Sequence, residues 1–223
     1  NSTTVTLTTG NPKLGTYTVK ITFLKKDSIS LLNESSIDSK EPEKRGKVIC
    51  FRNIPAFMLP TDLLRFCTSF RKCINSVRII NSVQKSDQND RYMAVFEMID
   101  QESADNFYLE FDGKPFSSME DQILCCANFV WSIQYGEECE RSNFNEASKN
   151  QPITLKNREN DKFDSCVICM EHLGGPGTLT TTCNHTFHMD CIERWQDTTC
   201  PVCRYHHYST SDNTSCEECG AFE

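Results

Sequence analysis

The chain has 223 residues and a mass of 25.5 kDa, which is room for one large domain or two small ones. Thirty-one acidic residues against 23 basic ones give a formal charge of −8. This balance argues against a broad basic face for a nucleic-acid backbone or an anionic membrane. A membrane-embedded protein is also excluded, because a spanning helix needs about 20 consecutive apolar residues and the chain has no such run.

The first segment, residues 1–31, contains two runs typical of β-strands, TTVTLTT and YTVKITFL. Gly10-Asn11-Pro12 separates them, and this composition predicts a turn. We expect these strands to associate with the domain that follows. Residues 32–46 are polar and charged, which indicates a connector.

The second segment, residues 47–135, alternates strand and helix patterns in the order βαββαβ. This order is that of the ferredoxin-like split βαβ arrangement, so the predicted fold class is α+β. Thr61 marks the start of the first helix, and Glu102 and Asp105 are acidic residues in the first turns of the second. The predicted strands cover 47–54, 76–83, 91–99 and 124–135, and the predicted helices cover 59–70 and 101–111.

The remaining chain divides into three parts. Residues 136–161 lose apolar periodicity, which predicts a linker. Residues 162–205 form a cysteine-rich module, and residues 206–223 form a polar tail that contains Cys216 and Cys219. Eight of the 14 cysteines follow residue 165.

The cysteine module carries eight potential metal ligands in the spacing C-x2-C-x13-C-x-H-x2-H-x2-C-x8-C-x2-C. Thiolate and imidazole suit Zn²⁺, and eight ligands make two closed tetrahedral sites, so the predicted zinc ions are structural and not catalytic. About 40 residues cannot build an adequate core alone, so metal decides whether this module folds. Spacing alone leaves the pairing of the ligands open. They are Cys166, Cys169, Cys183, His185, His188, Cys191, Cys200 and Cys203.

Other interpretations of these residues are weaker. Disulfides, redox pairs or core cysteines can explain one C-x2-C pair, but they do not explain the whole pattern. A zinc-bound thiolate is not free to act as a nucleophile, which disfavours a Cys–His enzyme. The histidines outside the pattern, His172, His206 and His207, are interpreted as loop residues. The cysteines outside it are interpreted mostly as small buried hydrophobic residues, and they lie at positions 50, 67, 73, 125, 126 and 139.

The segments CVICM, CNHTFHMDCIERW and CPVCR together resemble a RING finger of the two-histidine type. This resemblance implies interleaved ligands. One zinc ion takes Cys166, Cys169, His188 and Cys191, and the other takes Cys183, His185, Cys200 and Cys203. RING fingers typically act as ubiquitin ligases that dock a conjugating enzyme carrying ubiquitin as a thioester.

The resemblance also implies a docking surface for the conjugating enzyme at Ile168, Trp195 and Pro201. Arg204 matches an arginine of active RING ligases that fixes ubiquitin against the conjugating enzyme. A planar guanidinium suits this role because it can donate hydrogen bonds to two proteins at once. Ile168 and Trp195 can alternatively be core residues. Asp190 and Glu193 have the spacing of a capping box that opens the short helix before Trp195.

The βαββαβ segment resembles an RNA-recognition fold, in which aromatic residues of the two central strands stack on bases. Here the stacking positions are Cys50, Met93 and Val95, and none is aromatic. Phe51 and Phe96 have the parity of inward-facing core residues. We therefore expect protein binding or self-association, and not ordinary RNA binding.

The order of these segments resembles the BRAP family (BRCA-associated protein, or impedes-mitogenic-signal protein) and its fungal ethanol-tolerance relatives. Matching segments include Gly10-Asn11-Pro12, 105–121 and 166–173. In that family a ubiquitin-binding UBP-type zinc finger follows the RING finger. Cys216 and Cys219 would be its first ligand pair, and the alternative is an incidental pair in a solvated tail. The resemblance implies a cytoplasmic protein, as does a reducing compartment for zinc thiolates.

The sequence therefore predicts a RING-type E3 ubiquitin ligase with two zinc ions and an RRM-like domain for protein interaction. The expected partners are a conjugating enzyme, ubiquitin and a protein substrate. Two alternatives remain open, a non-catalytic RING scaffold and an RNA-binding ubiquitin ligase. An intact Arg204 weighs against the first, and the missing aromatic platform weighs against the second.

Overall fold

The computed structural model describes residues 3–24, 45–81, 91–117, 123–136, 165–195 and 197–206. Within these residues eight strands join in the order β1-β2-β6-β3-β5-β4-β7-β8. The first two are β1 (Thr3–Asn11) and β2 (Gly15–Phe23), and they form an antiparallel hairpin. A residue with a Cβ does not fit at Gly10, because that atom would lie 2.6 Å from the Gly15 oxygen.

The middle segment contributes four strands and two α-helices. In chain order they are β3 (Val48–Pro55), α1 (Pro60–Phe66), β4 (Ile74–Asn81), β5 (Arg91–Met98), α2 (Gln101–Phe111) and β6 (Cys126–Gly136). A 3-10 helix, Thr68–Cys73, follows α1. Strands β3 and β5 are central, and β6 and β4 flank them in antiparallel pairing.

The helix starts differ from the sequence prediction. Helix α1 begins at Pro60, not behind Thr61, because proline suits the first helical position and the Asp62 carboxylate accepts from the Leu59 N–H at 3.3 Å. The single helix predicted for 59–70 is divided into α1 and the 3-10 helix. Helix α2 begins as predicted, and the Asp100 carboxylate caps it by accepting from the Ser103 N–H at 2.7 Å.

The main core lies between the two α-helices and one face of the sheet. Phe51 and Phe96 are fully buried there, so the inward parity predicted for them is confirmed. Phe107 of α2 stacks on Phe51, with ring centroids 5.0 Å apart and an interplanar angle of 11°. Burying such aromatic side chains contributes much of the stability of the middle segment.

The opposite face of the sheet is covered by the N-terminal hairpin. Strand β2 continues the sheet from β6, and its inward side chains form a second core with those of the central strands. Strand β1 reaches as far as β4, where the Asn81 N–H donates to Thr9 Oγ1 at 3.3 Å. The second core contains Val19, Ile21, Phe23, Val48, Cys50, Ile80, Val95 and Val130.

The cysteine module joins the free edge of the same sheet. Strand β7 (Thr178–Thr180) pairs in parallel with Ser76–Arg78 of β4, and β8 (Thr186–His188) pairs antiparallel with β7. A short helix, α3 (Met189–Glu193), follows directly. Among the helices that the structure describes, none has the length and apolar character needed to cross a membrane.

Candidate metal centre

Two zinc knuckles with the same backbone geometry form the ends of the cysteine module. In the first, the Met170 N–H donates to the Cys166 oxygen at 2.7 Å, and in the second the Arg204 N–H donates to the Cys200 oxygen at 2.9 Å. Met170 and Arg204 both have positive φ angles, 64° and 57°. Each C-x2-C pair is therefore followed directly by a left-handed residue that closes the turn carrying both cysteines.

The first metal cluster consists of Cys166, Cys169, His188 and Cys191, whose ligand atoms all lie within 4.8 Å of one another. His188 Nδ1 is 3.3 Å from Cys169 Sγ and 4.0 Å from Cys191 Sγ. The other ring nitrogen, Nε2, lies 3.2 Å from the main-chain oxygen of His172. This carbonyl accepts a hydrogen bond from a protonated Nε2, and in that tautomer the lone pair of Nδ1 is available to a metal. The His172 carbonyl therefore selects Nδ1 as the ligating nitrogen.

The second cluster consists of Cys183, His185, Cys200 and Cys203, again within 4.8 Å. His185 Nδ1 is 3.2 Å from Cys183 Sγ and 3.5 Å from Cys200 Sγ. The Thr181 hydroxyl lies 3.1 Å from Cys183 Sγ and contributes a hydrogen-bond partner to that sulfur. These two sets are the ones that the interleaved ligand scheme of a RING finger assigns.

Both clusters fit zinc. Zn–S and Zn–N bonds of about 2.3 and 2.0 Å place tetrahedral ligand atoms roughly 3.4–3.8 Å apart, close to the separations observed here. Three sulfurs and one imidazole fill each site, which leaves no open position for a reacting water. The expectation of two zinc ions is confirmed. No disulfide joins any cysteine in the described part of the chain.

Main-chain donors favour the thiolate form of Cys166. Burial alone would raise the pKa of this thiol, but the N–H groups of His188, Cys169 and Ile168 point to its sulfur and together lower the pKa to about 7. The Cys191 thiol has the opposite balance, since burial and the neighbouring sulfurs raise its pKa to about 12. Binding of a zinc ion would therefore displace the proton of Cys166 more readily than that of Cys191.

The three predicted docking residues lie in different parts of the module, Ile168 in the first knuckle, Trp195 just after α3 and Pro201 in the second knuckle. Ile168, Trp195 and Pro201 are all partly buried, and the first two pack against the main core. The Trp195 indole N–H donates to the Thr199 oxygen at 3.2 Å, which holds the ring beside the second knuckle. Trp195 thus has both a packing contact and an accessible surface.

The capping box predicted at the start of α3 is wrong. The helix begins at Met189 with His188 as its N-cap, and no side chain caps it. Asp190 and Glu193 instead contact Arg71 of the 3-10 helix, at 2.7 and 3.2 Å. A carboxylate that binds an arginine of another element is not available to cap its own helix.

Arg204 projects from the second knuckle, and 69% of its side chain is exposed. Its Nη1 lies 3.8 Å from the Asp197 carboxylate. The Thr199 main-chain N–H, which donates to Asp197 Oδ1 at 3.0 Å, and then the charge of Arg204 hold the pKa of Asp197 below its ordinary value. The guanidinium therefore keeps an ionised partner across the neutral pH range, and its remaining donors face solvent.

Sequence reasoning missed the contacts between the cysteine module and the rest of the chain. A crevice of about 250 Å³ beside Trp195 is lined on its other side by Leu59, Pro60 and Arg65 of the α1 region. Arg78 Nη1 donates to Asn184 Oδ1 at 2.8 Å, and Asn11 reaches Cys203. The sequence predicted the turn at Gly10-Asn11-Pro12, but no local pattern predicted that this turn contacts the cysteine module.

The other cysteines and histidines have mixed outcomes. Cys50, Cys67 and Cys125 are buried, as predicted, whereas Cys73 and Cys126 are partly buried. His172 and His206 lie in loops and join neither cluster. Four predicted or discussed residues lie outside the described residues, namely Cys139, His207, Cys216 and Cys219.

Comparison with known families agrees with this geometry. Residues 164–204 match the family described as Ring finger domain, and residues 40–143 match the family described as BRCA1-associated protein 2. The chain is a RING-finger protein. Its upstream domain is of the type described as BRCA1-associated protein 2, and a relative named BRCA1-associated protein is similar to most of the chain.

Three relatives match most of the chain. An Arabidopsis thaliana protein named BRAP2 RING ZnF UBP domain-containing protein 2 is 32% identical over 96% of this chain and 42% of its own length. The human BRCA1-associated protein is 32% identical over 82% of this chain and 29% of its own length. The Schizosaccharomyces pombe RING finger protein ETP1 homolog is 31% identical over 75% of this chain and 31% of its own length. The chain thus spans less than half of each of these relatives.

The cysteine module has additional relatives of its own. A mouse protein named E3 ubiquitin-protein ligase RLIM is 39% identical over 49 residues, which are 21% of this chain and 8% of that protein. No solved structure matches the chain at a significant level.

Proposed function

We propose that the chain acts as a RING-type E3 ubiquitin ligase. The observation that carries the proposal is the position of Arg204, an exposed left-handed arginine that directly follows the last zinc ligand. Trp195 and Pro201 lie on either side of the loop that ends in this knuckle. Mouse RLIM, which is similar over the same module, is named an E3 ubiquitin-protein ligase.

The proposed mechanism is one of orientation. Ile168, Trp195 and Pro201 bind the conjugating enzyme, and the Arg204 guanidinium donates to the enzyme and to ubiquitin at once. This restrains the thioester in a reactive arrangement, and such positioning lowers the barrier to attack without a nucleophile from the ligase. The two zinc ions keep the knuckles rigid and take no part in the chemistry, because their sites are closed.

The test is a discharge assay, in which a ubiquitin-loaded conjugating enzyme loses ubiquitin to free lysine in the presence of the chain. We expect Arg204→Ala and Ile168→Ala each to slow discharge at least about tenfold, a loss of about 1.4 kcal/mol of barrier lowering. Arg91→Ala is the charge-matched control, because Arg91 is an exposed arginine outside the RING finger. Unchanged discharge in both variants, with two zinc ions still bound, would remove the proposed mechanism. A parent chain that does not accelerate discharge would instead favour a RING scaffold without ligase activity.

We also propose that residues 47–135 form an RRM-like domain that binds protein and not RNA. The strand order β6-β3-β5-β4, with α1 and α2 in the two crossovers, supports this assignment. The positions that stack on bases in RNA-binding relatives of this fold are Cys50, Met93 and Val95, and the first and last are fully buried beneath the N-terminal hairpin. A covered sheet face leaves no platform for bases.

Fluorescence anisotropy with labelled single-stranded RNA tests this second proposal. We expect no binding that persists at 0.2 M salt, about the level at which phosphate contacts alone become weak. Tight, salt-resistant binding would instead favour the RNA-binding ligase. A cytoplasmic location is a further proposal, supported by the need of zinc-binding thiolates for a reducing compartment.

A further inference from the structure

The tip of the N-terminal hairpin lies against the second zinc cluster. Asn11 is the last residue of β1, and only 4% of it is exposed. Its side-chain nitrogen, Nδ2, lies 3.7 Å from Cys203 Sγ, across 192 residues of sequence. An amide N–H beside a metal-binding sulfur is a donor facing an acceptor.

The orientation of the Asn11 amide is fixed by its own turn. The side-chain oxygen, Oδ1, accepts from the Lys13 N–H at 2.9 Å, and the Asn11 main-chain oxygen accepts from the Leu14 N–H at 2.9 Å. Because Lys13 engages the oxygen, the NH2 end is the one directed at the sulfur. The close approach at Gly10 keeps the turn tight and sets the position of the asparagine.

The chemistry of the cluster gives this contact a role. Three thiolates and a neutral imidazole around Zn²⁺ carry a net formal charge of −1, which hydrogen-bond donors disperse. The Thr181 hydroxyl lies beside Cys183 of the same cluster. Asn11 supplies a donor to a different ligand, Cys203, from outside the RING finger.

We propose that Asn11 is a positioning residue for the second zinc ion, donating a hydrogen bond to the Cys203 thiolate. Such outer contacts typically change metal affinity by about 10–100-fold when removed. Since Arg204 follows Cys203 directly, the same contact steadies the knuckle that carries the arginine. The N-terminal hairpin is in this sense part of the metal site.

Asn11→Asp is the discriminating substitution. Aspartate has the same shape and can still accept from Lys13, but it replaces the amide donor with a second carboxylate oxygen and adds a negative charge. A contact that matters only through packing would survive this change. A contact that works by donation to a thiolate would become repulsive.

The experiment uses the full chain loaded with two ¹¹³Cd²⁺ ions in place of zinc, so that each cluster gives its own NMR resonance. His185→Cys assigns the resonance of the second cluster. We expect Asn11→Asp to shift that resonance selectively and to weaken zinc binding at that cluster about 10–100-fold in competition with a chelator. Thr4→Ala, an exposed change on the same strand, is the control and should affect neither cluster.

Two results would overturn the proposal. One is an Asn11→Asp chain with both resonances and both zinc affinities unchanged. The other is equal loss at both clusters, which would indicate general damage to the fold. If Asn11→Asp fails to fold, Asn11→Ser serves instead, because it keeps a turn acceptor without adding charge and must still weaken the second cluster alone. Metal affinity is measured without ubiquitin, so a failed discharge assay and a failed metal result are distinguishable.

Discussion

Arg71 and Asp190 are 119 positions apart in sequence, yet Arg71 Nη2 lies 2.7 Å from Asp190 Oδ1. The same nitrogen is 3.2 Å from Glu193 Oε2, so one arginine of the 3-10 helix holds both carboxylates of α3. Arg71 is mostly buried, whereas Asp190 is largely exposed. This contact links the upstream domain to the helix that precedes Trp195.

Reversing the charge of Arg71 should loosen α3. Arg71→Glu places three carboxylates together, and we expect main-chain hydrogen exchange in 189–193 to become several-fold faster, in keeping with about 0.2–1 kcal/mol per partly exposed ion pair. Hydrogen-exchange mass spectrometry measures this rate. Lys72→Glu is the control, because it makes the same change of charge at an exposed neighbour of Arg71 on the 3-10 helix. Exchange in 189–193 that is equal in the two variants would argue against a role for Arg71.

Removing zinc should unfold one part of the chain selectively. The cysteine module has too few apolar residues to fold without metal, and structural zinc contributes about 10–16 kcal/mol of apparent binding energy. After chelation we expect residues 165–206 to lose their hydrogen-exchange protection and β4 to become a free edge. The helix-facing core around Phe51 should keep its protection. Protection of the module that survives complete metal removal would contradict this prediction.

Truncating the hairpin core should destabilise the upstream domain. Ile21 is fully buried between β2 and the central strands, so Ile21→Ala should cost about 2–5 kcal/mol in the free energy of unfolding. Urea denaturation measures the change. Lys20→Ala is the control, because Lys20 is an exposed neighbour on the same strand and its removal should change stability by no more than about 0.5 kcal/mol. A similar small effect for Ile21 would mean that the hairpin is not part of the folded core.

The buried thiol of Cys50 should make stability fall at alkaline pH. Burial is the main cause that raises its pKa, from 9.0 to about 12. The pKa of Cys50 is thus higher in the folded than in the unfolded chain, so the unfolded chain releases this proton first as the pH rises. The contribution of Cys50 to the free energy of unfolding is fully present below pH 9. It is lost between about pH 9 and 12, at up to about 1.4 kcal/mol per pH unit.

Urea denaturation of Cys50→Ala between pH 8 and 10.5 tests this dependence. The variant should lose stability less steeply with pH than the parent chain does. Cys73→Ala, at a partly exposed cysteine outside both metal clusters, should keep the parent slope. Identical slopes in all three proteins would show that Cys50 is not the group responsible.

The elements predicted best from sequence are those whose signal is local. Ligand spacing predicted two zinc ions, because a four-coordinate metal restricts the positions of cysteine and histidine. Strand parity predicted that Phe51 and Phe96 point inward. The capping box at Asp190 was wrong because its spacing is also compatible with binding a distant arginine.

Contacts between segments were beyond such reasoning. The pairing of β4 with β7 joins residues about 100 positions apart, and a three-residue strand leaves almost no periodic signal. In the sequence, Asn11 has only the features of a turn residue and Arg71 those of a surface residue. Their partners are distant in sequence and come close only in the folded chain. Covering of the sheet by the hairpin likewise depends on the path of β6, which pairs with β3 in its first half and with β2 in its second.

Main-chain pairing between β4 and β7 fixes the angle at which the RING finger leaves the upstream domain. A one-residue slip would turn every side chain of the short strand to the wrong face, so intermediate arrangements are unfavourable. Under the proposed ligase function, a protein substrate bound to the upstream domain would be presented to Arg204 from one direction and at one distance. Positioning of its acceptor lysine would then depend on motion within the substrate and the conjugating enzyme, because the two parts of this chain are held at a fixed angle.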